Sequence, residues 1–314
     1  MENDPHSPES STGNSTATGS RLDLTLDVAS ALLLTISVTM LTDFTRRLLG
    51  SDPDSLGIFA IAIQAAFAVA ATSTFTSAGW SWLEGVWQLF GKRVEARARW
   101  RFGLSLALAA VVIPVWFLAP SRLASYYNAR GYDIYENNHV DSAEALRDYQ
   151  RAIALNPQMH QPYVNLGGLM EDYYRYDEAA EQYRRGITAK LDDPTPYSNL
   201  SRVLLLSGNS LTALRVADAA LGLNPSAEVK SALLKNKAWA ELNLGFTSQA
   251  IADATQSNSA AGECILGKVY TKLGKAEAAR AAWGSFEQMN AKTSSGPAIE
   301  PDCQLLAENS HETK

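Results

Sequence analysis

Few residues of this chain have the types and the spacing that catalysis or metal binding requires. The four histidines, His6, His139, His160 and His311, do not occur at the spacing of metal ligands. His139 and His160 fall near turns, where we expect both side chains to be solvated. The sequence therefore predicts no metal site.

The densest group of carboxylates lies within one short stretch: Glu171, Asp172, Asp177, Glu178 and Glu181. Paired carboxylates can serve as general acid and base, but on an exposed helix they usually form only a solvated acidic face. No glycine-rich phosphate loop follows a strand, because no strand is predicted. We therefore expect no enzymatic activity, no cofactor and no small-molecule substrate.

Charge and cysteine content argue against two further classes of protein. Asp and Glu number 33 against 27 Lys and Arg, whereas nucleic-acid binding needs clustered basic residues. The one basic cluster, residues 92–101, lies between two apolar stretches and is better explained by membrane topology. Cys264 and Cys303 form neither a disulfide framework nor a metal site, and they can pair only in an oxidising compartment.

A recurring alanine indicates the helices that would position any binding residues. Ala145, Ala179, Ala213, Ala250 and Ala279 each open the second helix of a helical hairpin, at intervals of 34, 34, 37 and 29 residues. A period of this length is typical of stacked helix pairs. In the clearest unit, residues 160–193, apolar and small residues recur at helical spacing on both sides of a turn.

This pattern resembles the tetratricopeptide repeat (TPR) family. The matching residues include Leu166-Gly167, Ala179, Tyr183, Leu200-Ser201, Ala213, Leu266-Gly267 and Trp283. Five repeats cover about 126–290, and the fourth is displaced by three residues. The resemblance implies an all-α, right-handed solenoid whose concave face is lined by the first helix of each pair and binds protein partners.

Projecting the family pattern onto this chain predicts the residues that line the groove: Asn128, Tyr132, Asn165, Asp172, Asn199, Arg202, Lys235, Asn236, Trp239, Lys268 and Lys272. Trp239 is the best candidate for an anchor, because aromatic side chains often dominate binding energy. Core packing is the alternative role for this residue. The Asn and Lys positions do not reproduce the two-lysine clamp with which some chaperone-binding members hold a C-terminal carboxylate.

Three apolar stretches ahead of the repeats are predicted to span a membrane, at about 28–45, 56–78 and 102–120. The second and third carry no charged residue over 23 and 19 positions, and about 20 helical residues cross a hydrocarbon core. The first is shorter, so an interfacial or re-entrant helix is its alternative. The sequence thus predicts two to three transmembrane helices in contact with lipid.

Basic residues near the ends of the spans predict the orientation. Residues 92–101 contain five Lys or Arg, which the positive-inside rule assigns to the cytoplasm. The last span then exits on the other side, so we expect an integral protein of the cell or inner membrane with its repeats outside the cytoplasm. Tryptophans that flank the spans match an aromatic belt: Trp80, Trp82, Trp87, Trp100 and Trp116.

These features predict four segments: a disordered tail over 1–20, a membrane domain over 21–120, a TPR solenoid over 121–290 and a polar tail or cap over 291–314. The leading hypothesis is a membrane-anchored TPR scaffold that mediates protein–protein interaction or complex assembly. The alternative is an accessory or docking subunit of a membrane enzyme or transporter complex. A third interpretation keeps the repeats in the cytoplasm, where they would dock a soluble partner to the membrane.

Overall fold

The computed structural model describes residues 13–49, 61–66, 81, 97–137 and 142–292, and every element in these ranges is helical. Residues 61–66 form a short helical piece. The longer helices are α1 (Gly13–Leu49), α2 (Arg97–Asn137), α3 (Ser142–Leu155), α4 (Gln161–Asp172), α5 (Tyr176–Ala189), α6 (Pro194–Leu206), α7 (Ser210–Leu221), α8 (Ala227–Leu244), α9 (Thr247–Ser257), α10 (Ala260–Lys272) and α11 (Ala276–Lys292).

The chain divides into two compact units. The first comprises residues 1–127 with 154–156, and the second comprises residues 128–153 with 157–314. We call them the apolar unit and the repeat unit. Several predictions fall outside the described ranges: most of the span 56–78, the flanking Trp80, Trp82 and Trp87, and Cys303 with the tail after residue 292.

The start of α1 corrects the predicted disordered tail. The helix begins at Gly13, so residues 13–20 are helical, while residues 1–12 lie outside the described ranges. Extending an existing helix adds one backbone hydrogen bond for each residue that is fixed. The Ser- and Thr-rich segment therefore prolongs the helix of the apolar residues that follow it, although it has little apolar surface of its own to bury.

Helix α2 corrects the predicted boundary after residue 120. It contains Pro114 and Pro120 and still continues to Asn137. A proline costs a helix one amide hydrogen bond and crowds the carbonyl four residues earlier, usually at about 3 kcal/mol. The helix continues because both flanks are supported: an apolar run surrounds Pro114, and Gly131, further along, is buried in the repeat unit.

The apolar unit carries large apolar side chains on its outside. Leu32, Val111 and Phe117 are each at least 60% exposed, whereas Ser30 and Ser105 are at most 2% exposed. Two stretches, Thr25–Leu48 and Arg99–Glu136, are long and apolar enough to cross a membrane by length and composition alone, with 17% of the most apolar part of each buried. They include the predicted spans 28–45 and 102–120.

Three of the four buried serine and threonine hydroxyls that the structure describes in the apolar unit are satisfied within their own helices, those of Ser30, Thr45 and Ser105. Ser30 Oγ donates to the carbonyl of Leu26 at 2.7 Å, and Ser105 Oγ donates to the carbonyl of Arg101 at 2.8 Å. A hydroxyl that bonds the carbonyl four residues earlier needs no partner from another helix. The exception is Ser37 on α1, which is buried with no hydrogen-bond partner for its hydroxyl among the described residues.

Polar contacts at two points fix the direction of α1 relative to α2. Arg101 Nη1 lies 3.4 Å from Asp27 Oδ1. Sixteen residues further along α1, Asp43 Oδ2 accepts a hydrogen bond from Trp116 Nε1 at 3.3 Å. Because residue numbers rise along both helices between these contacts, α1 and α2 run parallel.

Five helix pairs make up the repeat unit, as the spacing of the alanines predicts. The C-terminal part of α2 pairs with α3, through Gly131 against Tyr149 and Arg130 with Asp148. The later pairs are α4/α5, α6/α7, α8/α9 and α10/α11. From α5 onward each second helix also packs against the first helix of the next pair. In addition, α4, α6, α8 and α10 contact one another in succession. With the C-terminal part of α2, we call these helices the first-helix row.

Each helix pair is held by complementary sizes at its crossing point. A Cβ atom on Gly167 would lie 2.6 Å from the ring of Tyr183, and one on Gly267 would lie 2.5 Å from the ring of Trp283. The first helix therefore requires glycine at the crossing wherever the second helix carries an aromatic ring there. The first pair repeats this arrangement, with Gly131 against Tyr149. The third and fourth pairs instead have small residues on both helices: Ser201 and Ala217 in the third, and Ala238 and Ala254 in the fourth.

The turn between the two helices of a pair needs a left-handed backbone. Gly208, Gly245 and Gly274 occupy this position in the last three pairs, with φ of 78°, 84° and 68°. In the second pair the position is taken by Tyr174, with φ of 58°. Glycine adopts this conformation without the steric cost that a Cβ atom brings. The turn position is thus recognisable from sequence in three pairs and hidden in the second.

Candidate protein-binding groove

The first-helix row contains the side chains from which the sequence predicts a groove. Its helices are started by N-cap side chains that accept hydrogen bonds from free backbone amides: Asp193 before α6, Ser226 before α8 and Ser259 before α10. Fixed starting points give each helix a defined register. Equivalent positions therefore recur from one first helix to the next.

Asparagines at one equivalent position link neighbouring first helices. Asn165 Nδ2 donates to Asn128 Oδ1 at 3.0 Å. Asn236 Nδ2 donates to the Ser198 carbonyl at 2.9 Å and to Ser201 Oγ at 2.8 Å. Asn236 is 1% exposed, which corrects the prediction that it lines the groove. Its side chain belongs to the junction of α6 and α8, because a buried amide needs hydrogen-bond partners.

Two aromatic side chains that the sequence predicts for the groove reach solvent. Tyr132 is 50% exposed, and the charge of Glu136, together with a hydrogen bond to it, raises the pKa of the phenol. Trp239 is half-buried and packs against two core clusters, one containing Leu204 and the other containing Ile265. Trp239 therefore joins neighbouring pairs and still has part of its side chain accessible.

Glu171 and Arg202 form an ion pair between α4 and α6. Arg202 Nη2 lies 2.8 Å from Glu171 Oε2, and the Tyr183 hydroxyl donates to the same oxygen at 3.0 Å. Burial raises the pKa of Glu171, and the charges of Arg202 and Lys235 only partly oppose this shift. The Glu171 side chain is 11% exposed, which corrects the prediction that it belongs to a solvated acidic face.

The other predicted groove residues keep partly or fully exposed side chains. Asp172 and Lys272 are exposed, while Asn199, Lys235 and Lys268 are half-buried. Burial raises the pKa of Asp172, although a nearby arginine charge opposes the shift. Apart from Asn236, all the predicted residues therefore lie on the first-helix row with some accessible surface.

A partly buried charge cluster between α7, α8 and α9 is absent from the sequence prediction. Lys237 Nζ lies 3.0 Å from Asp218 Oδ1 and 3.2 Å from Asp253 Oδ2. Glu241, one turn after Lys237, is 4% exposed. Burial and the charge of Asp253 raise the pKa of Glu241 to about 7. The available signal was the four-residue spacing of Lys237 and Glu241, which by itself indicates only a surface ion pair.

The first helix pair contains a second buried charge group. Asp148 is 0% exposed, with Arg130 Nη1 at 3.2 Å and Arg151 Nη1 at 3.3 Å from its carboxylate oxygens. Arg130 also pairs with Glu144. Burial raises the pKa of Asp148, and the two arginines oppose this shift. Breaking such a pair leaves a buried charge without compensation, so the group holds α2 and α3 in one register.

His160 also departs from the prediction of a solvated side chain. Its Nε2 lies 2.9 Å from Asp193 Oδ2, and the side chain is 14% exposed. Burial raises the pKa of Asp193, but hydrogen bonds from Thr195 and the charge of His160 outweigh burial and lower it overall. The pair links the residues that precede α4 and α6. His6, His139 and His311 lie outside the described ranges.

Within the described ranges, no group of three or more His, Cys, Asp or Glu residues is placed to hold a metal ion. Glu178 pairs with Arg175 and Glu181 pairs with Arg185, each within a single turn. These exposed pairs are typical of a solvated helix face. Cys264 is fully buried in the core of the last helix pair. The chemistry that the row offers is binding, through amides, charged groups and two aromatic rings.

Comparison with known proteins identifies the fold of the repeat unit. No protein-family model and no curated protein sequence matches the chain. Among solved structures, it is similar to the Cut9–Hcn1 hetero-tetramer of the APC/C, with 18% identity and a TM-score of 0.50 over 63% of this chain and 38% of that one. The repeat unit has the TPR fold.

Two further TPR-like structures resemble the chain less closely in shape. The first is the TPR protein TTC0263 of Thermus thermophilus, with 18% identity and a TM-score of 0.47 over 60% of this chain and 98% of that one. The second is PilF of Pseudomonas aeruginosa, with 14% identity and a TM-score of 0.49 over 62% and 88% of the two chains. Identities this low concern the fold alone.

Proposed function

We propose that this protein is a membrane-anchored TPR scaffold that binds a protein partner along its first-helix row. The observation that carries the proposal is the accessibility of one position in each first helix. This position directly follows the small residue at the helix crossing. In successive pairs it holds Tyr132, Gly168, Arg202, Trp239 and Lys268, and none of them is fully buried. A surface that recurs once per repeat suits a protein segment, which can touch every helix of the row.

Site-specific photo-crosslinking tests this proposal. A crosslinking amino acid at Asn199, on the row, should capture a protein partner in intact cells. The same amino acid at Thr212, exposed on the second helix α7, is the matched control and should not. Equal capture from both positions, or capture only from Thr212, would contradict a groove-binding scaffold.

The outward apolar surface of α1 and α2 supports the membrane anchor. Large apolar side chains such as Leu32, Val111 and Phe117 are exposed, and soluble proteins rarely expose contiguous apolar surface of this extent. In a bilayer the same side chains face hydrocarbon, where exposure costs nothing. Three of the buried hydroxyls then lie between helices and bond to their own backbone, those of Ser30, Thr45 and Ser105.

The parallel arrangement of α1 and α2 favours three spans over two. If both helices cross the bilayer in the same direction, the chain between them must cross once in the opposite direction. The stretch 56–78 has the length and composition to do so, and Gln64 Nε2 donates to Thr42 Oγ1 at 2.8 Å, beside the end of the first span. The N-terminus and the basic residues 92–101 then share the cytoplasmic side, and the repeat unit lies on the other.

Protease protection tests this topology. In intact cells whose outer barrier has been permeabilised, added protease should remove the repeat unit and leave a fragment that contains the spans. Protection of the repeat unit until the membrane itself is dissolved would instead place the repeats in the cytoplasm. A tag before residue 13 should show the opposite behaviour, and its cleavage without detergent would contradict the three-span arrangement.

A further inference from the structure

Charged side chains on one stripe of the first-helix row are separated by sign along the stack. Positions of the stripe are counted from the small residue at each helix crossing: they are position −3 and positions +1, +4 and +5. At helical spacing these four positions lie on one face of the helix. Its acidic residues belong to the first two pairs: Glu136, Glu171 and Asp172. Its basic residues belong to the last three pairs: Arg202, Lys235, Lys268 and Lys272.

The two segments of the stripe meet at one ion pair. Glu171 and Arg202 contact each other at 2.8 Å across the junction of the second and third pairs. On the acidic side Glu136 and Asp172 are exposed, and on the basic side Lys272 is exposed. The stripe therefore presents a negative end and a positive end, with a neutralised pair between them.

We propose that the groove takes an extended protein segment of bipolar charge, with basic residues over the first two helix pairs and acidic residues over the last pair. The inference rests on the proposed function and adds the class of partner. Charge complementarity carries it: a wholly acidic segment would meet Glu136 and Asp172, and a wholly basic one would meet the three lysines. Either would place like charges opposite each other, which selects against that partner.

The stacking of the repeats sets the separation of the two charged blocks. Packed helices lie about 8–10 Å apart, so Asp172 and Lys268, three pairs apart, are separated by roughly 27 Å along the row. An extended chain advances about 3.3 Å per residue. The basic and acidic blocks of the partner should therefore be separated by about eight residues.

Peptides of equal composition test this inference against the full chain in a mild non-ionic detergent. The first probe carries three lysines, eight neutral residues that include Tyr and Leu, and three glutamates. The second has the same composition with lysines and glutamates alternating along its length. By fluorescence anisotropy at low salt, the first peptide should bind about tenfold more tightly, because each exposed charge pair contributes modestly and several act together. Equal affinity, including no detectable binding of either peptide, overturns the inference.

Charge reversal on the protein gives an independent measurement. The double variant Glu136→Lys/Asp172→Lys should reduce the preference for the bipolar peptide to within about twofold and should strengthen binding of a wholly acidic peptide. The control Glu277→Lys/Glu287→Lys changes net charge equally at exposed positions of the second helix α11 and should leave both affinities unchanged. If the control acts as strongly as the groove variant, the effect comes from overall charge and the inference is wrong.

The outcomes separate the inference from the function on which it rests. If Asn199 crosslinks a partner but both peptides bind with equal affinity, the proposed scaffold function stands and the inference of a bipolar partner is wrong. Absence of crosslinking from Asn199 would contradict both the proposed function and the inference. Circular dichroism of each charge variant, compared with the unaltered chain, shows whether a lost preference reflects lost folding.

Discussion

The apolar unit and the repeat unit distribute polarity in opposite ways. In the apolar unit Leu32 and Phe117 are about three-fifths exposed while Ser30 is fully buried. In the repeat unit Leu169 and Tyr183 are buried, and exposed positions are mostly charged or polar. The hydrophobic effect explains the second pattern in water. The first pattern would suit apolar surroundings, in line with the proposed membrane anchor.

The two units also bury different kinds of polar group. Three of the four buried serine and threonine hydroxyls described in the apolar unit bond to carbonyls of their own helix, as Ser105 does. Buried polar groups in the repeat unit reach across helices, as Asp148 does to Arg130 and Asn236 does to Ser201. A partner on another helix specifies register, whereas a partner on the same helix does not. Polar groups therefore specify the packing of the repeats more strongly than that of the apolar helices.

The largest expected effect tests whether the outside of the apolar unit faces lipid. Val111, near the middle of the span 102–120, is 64% exposed. Val111→Asp should cost about 3 kcal/mol of insertion free energy, because a charge at the centre of a span is poorly tolerated. The measurement is the fraction of the chain that resists carbonate extraction from membranes. The control Ser125→Asp, at an exposed position beyond the span, should extract like the unaltered chain, and equal behaviour of both variants would contradict a lipid-facing Val111.

A smaller effect tests the size complementarity inside the repeat unit. Gly267→Ala would place a Cβ 2.5 Å from the Trp283 ring, and overpacking a close crossing typically costs about 1–3 kcal/mol. We expect a loss of about 2 kcal/mol in the unfolding free energy, measured by urea titration with circular dichroism. Gly284→Ala is the matched control, because a Cβ there meets nothing within 4 Å. That change should stabilise the helix by up to about 1 kcal/mol.

A third effect tests the buried charges of the repeat unit through pH. The pKa of Glu241 is about 7, above its ordinary value of 4.5, so the folded state holds the proton more tightly than the unfolded state. The resulting stabilisation is complete below pH 4.5 and is lost as pH rises through 7. The unfolding free energy should therefore fall by on the order of 2 kcal/mol between pH 5 and pH 8.

Glu241→Gln should remove most of this pH dependence, because the amide keeps the shape of the carboxyl group and does not ionise. Urea titrations at pH 5, 6.5 and 8 supply the comparison. Glu277→Gln, at an exposed position of α11, should keep the pH dependence of the unaltered chain. A Glu241→Gln variant that loses stability with pH as steeply as the parent would assign the dependence to other groups.

Much of the fold is predictable because it follows from local spacing. The alanine period and the small residues at the crossings, such as Gly167 and Gly267, predict five helix pairs of TPR type. Apolar length predicts α1 and the first part of α2. The continuation of α2 past Pro120 and the helical start at Gly13 were not predictable from residue type, since proline and a Ser/Thr-rich segment both argue locally against a helix.

The repeat pattern places the proposed groove on the first helices, but it does not predict which of its side chains are buried. Tyr132, Arg202 and Trp239 lie where the repeat pattern puts them. Asn236 looks the same as Asn165 in sequence, but its amide is buried because α6 offers a carbonyl and a hydroxyl within reach. The Lys237 cluster was missed because its partners, on α7 and α9, lie outside the helix that carries it.

Residue types at short, regular spacings predict the helix pairs, their number and the apolar stretches. The tertiary structure was needed to show which polar groups are buried, with Asn236 and Glu241 inside and Tyr132 outside. It also decided that α1 and α2 run parallel, through contacts between residues more than 70 positions apart. Such features depend on the register between helices, which local spacing does not encode.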